Sequence, residues 1–218
     1  MSVKKLKTGL VKNKIKGLAL DIDDTLSFTW SYWAQSLQEK FGGPKDLSLT
    51  EIRTKYQLVQ NVPHWQSREA YEWMEMARKS NEIQELLPLI ENSNKMVERI
   101  DKIIPVVCYL TIRGQSVIPG TEKWLRKHGF PKAPVIAKPD DLPLEEGSIW
   151  KAETLRFLYP HVLGIIDDNP ALINYLDASY KGTIFLYNNL EIPQTPLKVI
   201  QCKNWEDIPE KVVNFLQT

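Results

Sequence analysis

The chain has few cysteines, no long apolar run and almost no excess of charge of either sign. Each shortage removes a class of protein. Its two cysteines, Cys108 and Cys202, form neither a disulfide framework nor a zinc-ligand spacing, so a reducing compartment is expected and the cytoplasm is the expected location. No apolar stretch is long enough for a signal peptide or a membrane span, so no membrane association is expected. Lys and Arg number 28 against 27 Asp and Glu, a formal net charge of +1. That balance gives no global reason to expect nucleic acid as a partner. Lys4, Lys5, Lys7, Lys12, Lys14 and Lys16 make the start of the chain basic, and with no aromatic interleaved they read as a solvated tail. Internal repeats and low-complexity segments are also missing.

What the chain does have is a series of short apolar runs, partly β-branched, at 17–22, 104–110, 134–137, 162–166, 183–187 and 197–200. Such runs are expected of strands buried on both faces of a parallel sheet. Helical stretches lie between the later ones. Pro119-Gly120 opens one that Gly129 ends, Ser148 is the expected cap of another reaching Pro160, and Asn169-Pro170 combines an N-cap side chain with proline at the first helical position. Strand alternating with helix predicts a doubly wound, Rossmann-like α/β fold with a parallel sheet. Residues 27–101 interrupt this rhythm, because apolar residues there recur at helical spacing, as in Ile52, Tyr56 and Val59. The expected organisation is a core of 1–26 and 102–218 with an inserted helical unit at 27–101. That insertion holds Trp30, Trp33, Trp65 and Trp73, which are expected to pack its interior.

In open parallel sheets ligands bind beyond the carboxyl ends of the strands. Here the first strand ends in Asp21-Ile22-Asp23-Asp24-Thr25, the second in Thr111-Ile112-Arg113, and a later one in Asp167-Asp168-Asn169. Carboxylates crowded in this way repel one another and call for a cation. Two acidic strand ends meeting in one crevice make a hard oxygen site suited to Mg²⁺. Lys151 falls near the start of its predicted helix, where the macrodipole disfavours a cation, so an anion is expected beside it. None of His64, His128 and His161 is required.

These segments, in this order, resemble the four motifs of the haloacid dehalogenase superfamily: Asp21-x-Asp23-x-Thr25, Thr111, Lys151 and the acidic pair Asp167-Asp168. The position of the insertion is similar to that of the family's C1 cap. The resemblance implies a Mg²⁺-dependent phosphatase acting on a small phosphomonoester. Asp21 would be the nucleophile that forms an aspartyl-phosphate, and Asp23 the general acid and base, its pKa raised by crowding from Asp21 and Asp168. Mg²⁺ would be held by Asp21, the Asp23 backbone carbonyl and Asp168, with Asp167 behind them. Thr111 and Lys151 would bind phosphoryl oxygens, Asp24 and Thr25 would support the phosphate loop, and Arg113 would contact substrate or form a surface ion pair. A 5′-nucleotidase-type hydrolase and a non-catalytic phospholigand-binding protein are the alternatives.

Overall fold

The computed structural model describes residues 1–189 and 191–217. The chain opens with a helix, α1 (Val3–Asn13), and enters strand β1 (Gly17–Leu20). The helices α2 (Thr29–Phe41), α3 (Leu49–Tyr56), α4 (Arg68–Arg78), α5 (Asn81–Leu86) and α6 (Ser93–Ile103) follow. Strand and helix then alternate through β2 (Val106–Gly114), α7 (Ile118–Lys127), β3 (Val135–Lys138), α8 (Gly147–Leu158) and β4 (Val162–Asp167); the expected helix at Asn169-Pro170 is a 3₁₀ turn over Pro170–Tyr175, after which β5 (Thr183–Tyr187), β6 (Lys198–Cys202) and α9 (Ile208–Leu216) complete the chain. The six strands form one parallel sheet in the order β3-β2-β1-β4-β5-β6. This is the doubly wound, Rossmann-like order, with its switch point between β1 and β4.

All six expected runs became strands, and the pleat explains why the central ones are apolar, whereas the edge strand β6 carries Lys198 and Gln201. Successive side chains point to opposite faces. Leu18 and Leu20 join Tyr109, Ile166 and Phe185 on the face covered by α6, α7 and α9, where Val97, Ile100, Trp124 and Val212 meet them. Ala19 points the other way, to Cys108, Leu110, Ile165 and Ile184 beneath α1 and α8. Gly17 is required at the start of β1, since a Cβ there would lie 2.1 Å from the carbonyl oxygen of Pro105, the residue just before β2.

The structure departs from expectation at three places. The lysine-rich start of the chain is a helix capped by Ser2, not a solvated tail. Leu6 and Leu10, one turn apart on α1, are buried against the α8 face of the sheet, and the lysines occupy the remaining circumference. Ser148 does not cap α8, which begins one residue earlier, at Gly147, after a 3₁₀ turn over Leu144–Glu146. Lys151 is therefore the fifth helical residue, beyond the first turn. Within 27–101 the apolar side chains belong to two cores. Trp30, Trp33, Leu37, Ile52, Trp65, Met74 and Ala77 form a separate cluster, whereas Val97 and Ile100 of α6 pack with the sheet. Helix α5 packs across α7. There Gly120 donates its backbone N–H to Asn81 Oδ1 at 2.7 Å, and a Cβ on Gly120 would strike the Asn81 backbone.

Candidate active site

The Asp21–Thr25 segment leaves β1 as a tightly tied loop. Asp21 N–H still donates to the Ile166 carbonyl at 2.9 Å, so the ladder with β4 carries the chain one residue past the strand. Asp24 then takes a left-handed conformation (φ 55°), which aspartate tolerates better than most residues. Its N–H closes onto the Ser27 carbonyl at 2.8 Å. Trp205 donates its indole N–H to the Thr25 carbonyl at 2.8 Å, fastening the loop from the other end of the chain. Asp24 Oδ1 accepts from Trp30 N–H at 3.1 Å and faces Arg53 of α3 at 3.7 Å. Asp24 and Thr25 thus shape the loop with bonds inside the protein.

Alternation along an extended chain places Asp21 and Asp23 toward one crevice, but with different partners. The Asp21 carboxylate meets Lys151, whose Nζ lies 2.5 Å from Asp21 Oδ1 and 2.8 Å from Asp167 Oδ2. Lys151 is buried beyond the first turn of α8, and its anionic neighbours supply the counter-charge that a buried ammonium requires. Burial alone would lower the Lys151 pKa, yet Asp167 and Asp21 raise it, so the ammonium stays charged. Asp21 is pushed up to about 7, first by burial and then by Asp167 and Asp23, with Lys151 opposing. Asp168 is also raised well above the ordinary carboxylate value, by burial and by Asp167, Asp21 and Asp24.

Asp23 behaves contrary to expectation. Burial would raise its pKa, but Arg113, helped by Thr29, holds it below the ordinary value. Arg113 Nη2 donates to Asp23 Oδ1 at 2.7 Å and its Nε to Oδ2 at 3.0 Å, while Thr29 Oγ1 donates to Oδ1 at 2.6 Å. The crowding by other carboxylates that was expected to raise it is outweighed by this fork. Arg113 is accordingly buried, not a surface residue, and its remaining donors reach Thr121 Oγ1 and Ser27 Oγ. Thr111 lies two residues before Arg113 on the same side of β2, and its hydroxyl is 3.4 Å from Asp23 Oδ2. The register of β2 against β3 slips between Thr111 and Gly114, and such an irregularity re-aims side chains at a sheet end.

Asp21, Asp167 and Asp168 each offer a carboxylate oxygen within 4.8 Å of the others. When all three are ionised they exceed the one ammonium by two negative charges in a buried crevice, and an all-oxygen set of this kind fits a divalent hard cation. The two members of the acidic pair are not equivalent. Asp167 Oδ2 is held by Lys151 and its Oδ1 accepts from Asn169 N–H at 2.9 Å. Asp168 Oδ1 accepts from Thr25 Oγ1 at 3.1 Å, and the Asp168 backbone N–H donates back to Thr25 Oγ1 at 3.1 Å. Asp168 is the better placed to turn an oxygen toward a cation.

Sequence reading missed Thr29, Ser27, Thr121, Arg53 and Trp205. A serine or threonine near a motif carries no mark of its role, and Trp205 reaches Thr25 only through the fold. Of the aromatic residues at the start of the insertion, Trp30 and Trp33 are buried in the helical unit, whereas Phe28 is 40% exposed.

No family model matches this chain, and no curated protein matches it. Among solved structures, that of cytosolic 5′-nucleotidase IIIB bound to cytidine is similar over 100% of this chain and 93% of the other, with 14% identity and a TM-score of 0.40. A likeness of that size carries no argument about activity or the roles of residues. The doubly wound architecture stands on the strand order itself, and the chemistry on the site's own geometry.

Proposed function

We propose that this chain is a Mg²⁺-dependent phosphatase of the haloacid dehalogenase type, acting on a small phosphomonoester. The observation that carries the reading is the buried Lys151 ammonium bridging Asp21 and Asp167 beside Asp168, at the carboxyl ends of β1 and β4. A purely structural ion pair would not need two further carboxylates, Asp23 and Asp168, held around the same crevice. Asp21, Asp168 and the Asp23 backbone carbonyl would hold the cation. Mg²⁺, when bound, supplies positive charge that keeps Asp21 ionised and offsets the negative charge of an entering phosphate.

In this reading the Asp21 carboxylate attacks phosphorus, forming an acyl phosphate as the bond to the leaving oxygen breaks. Asp23 gives that oxygen its proton and later takes one from the water that cleaves the acyl phosphate. The dianionic phosphoryl group offsets Arg113, so Asp23 gains its proton only with substrate present. Lys151 and the Thr111 hydroxyl stabilise the charge that develops on the phosphoryl oxygens. The helical segment, tied to the loop through Arg53 and Trp30, would act as a cap on the crevice and favour a small substrate over a polymer.

The test is turnover of para-nitrophenyl phosphate, sugar phosphates and nucleoside 5′-monophosphates with and without Mg²⁺, beside the Asp21→Asn variant. Metal-dependent release of phosphate that Asp21→Asn abolishes supports the reading. A native protein inert across the panel, or an Asp21→Asn variant as active as the native chain, refutes it.

A further inference from the structure

The first twenty residues hold six lysines and no acidic residue, which leaves 22 basic against 27 acidic residues in the rest of the chain. The near-zero net charge therefore hides a strong separation of charge. Folding of this segment into α1 organises it: Leu6 and Leu10 face the protein, and Lys4, Lys5, Lys12, Lys14 and Lys16 stand exposed. Among the described residues, none of the lysines of this segment is ion-paired with a carboxylate.

Beside the lysines lies an open groove of about 460 Å³, lined by Lys4, Lys7, Thr8, Val11, Lys12 and Phe157. Val11 and Phe157 are large apolar side chains left half exposed there, between α1 and the last turn of α8. Lys7 crosses the groove, donating to the Phe157 carbonyl at 2.5 Å with its ammonium 4.1 Å from the ring centroid. One face of the ring is thereby taken by a cation. The groove's exposed apolar atoms are ringed by cations, the combination that suits the boundary between anionic headgroups and acyl chains. Among the described residues no helix is long and apolar enough to cross a membrane, so contact would be confined to the surface.

We infer that α1 and the end of α8 form a docking surface for an anionic lipid bilayer. Charge complementarity selects the occupant, and the exposed Val11 and Phe157 favour lipid over a purely polar polyanion. The orientation is compatible with catalysis. α1 leads into the amino end of β1, where His161 Nδ1 lies 3.0 Å from the Ile15 carbonyl oxygen, whereas the carboxylate cluster sits at the opposite end of the strands. A docked molecule would turn its crevice toward solution.

The experiment is co-sedimentation of the full chain with vesicles of pure phosphatidylcholine and of equal parts phosphatidylcholine and phosphatidylserine. A lysine near an anionic surface contributes about fivefold to partitioning, so combined Lys4→Gln, Lys5→Gln and Lys12→Gln should weaken binding about a hundredfold. Val11→Ser should weaken it several-fold, and added salt should weaken it steeply. Unchanged phosphatase turnover would show that the variants are folded. Equal binding to both vesicle types, or an undiminished triple variant, overturns the inference. So does lysine-dependent binding of an oligonucleotide by a protein that ignores both vesicles.

Discussion

Arg113 lies along the carboxylate of Asp23, with Nη2 2.7 Å from Oδ1 and Nε 3.0 Å from Oδ2. Ninety residues separate the two in the chain, and the parallel pairing of β1 with β2 brings them together. The fork orients the carboxylate and keeps it ionised until another anion arrives. In the proposed reaction Arg113 positions the proton donor, although nothing in the structure requires it to touch substrate.

Replacing Arg113 with lysine keeps a positive charge and loses the planar fork. Turnover should fall about tenfold or more, given that positioned acid–base catalysis contributes about 10²–10⁴-fold. Replacing it with methionine removes the charge as well, so burial raises the Asp23 pKa and the pH profile of kcat/KM shifts upward. Profiles of the two variants that superimpose on the native one would show that Arg113 plays no part.

Lys151 is the only cation bonded to Asp21 and Asp167 among the described residues. Lys151→Ala therefore leaves two buried carboxylates without their counter-charge. The expected cost is about 3–5 kcal/mol in urea unfolding, together with loss of turnover. Lys151→Arg keeps the charge and should recover part of the stability but little of the activity, because the larger head disturbs the crevice. A Lys151→Ala protein as stable as the native chain would contradict the burial and pairing described for this group.

The carboxylates set the pH dependence of stability in the absence of metal. Burial pushes Asp21 up to about 7 and Asp24 up to about 6 in the folded protein from an ordinary value of 3.8, and raises Asp168 as well. Between pH 4 and 7 the folded chain thus holds protons that the unfolded chain has lost, and stability falls as pH rises, by about 1.4 kcal/mol per pH unit for each such proton. Asp23, held below its ordinary value, adds nothing to the slope in this window. Thermal unfolding in chelator should therefore show Tm dropping from pH 5 to pH 8. Mg²⁺ should raise Tm more at pH 8 than at pH 5, since at the lower pH it competes with protons. A metal-free Tm that rises across this range, or a Mg²⁺ effect that does not grow with pH, would contradict the assignment.

The strands were legible in the sequence because a parallel strand buried on both faces must be apolar along its whole length, as the four residues of β1 are. The candidate site could be picked out for the complementary reason, since carboxylates crowded at the ends of such strands repel one another and call for counter-charge. The role of Arg113 could not, because an arginine at a strand end looks the same whether it faces solvent or a carboxylate ninety residues away. α1 was hidden by its own charge: only Leu6 and Leu10 carry the buried stripe, and the lysines around them drew the reading toward solvent. Nor did helical spacing distinguish α6, which packs against the sheet, from α2 to α5, since an amphipathic stripe does not reveal which apolar surface it meets.

The central claim is that the Asp21 carboxylate becomes phosphorylated. Rapid chemical quench of the protein during turnover with a labelled phosphomonoester and Mg²⁺, followed by peptide mapping, tests it most directly. A hydroxylamine-labile phosphoryl group is expected on the peptide containing Asp21, formed and lost at rates consistent with turnover and missing both in Asp21→Asn and without Mg²⁺. Turnover with no phosphorylated protein at any quench time, or a phosphoryl group on another residue, would contradict it.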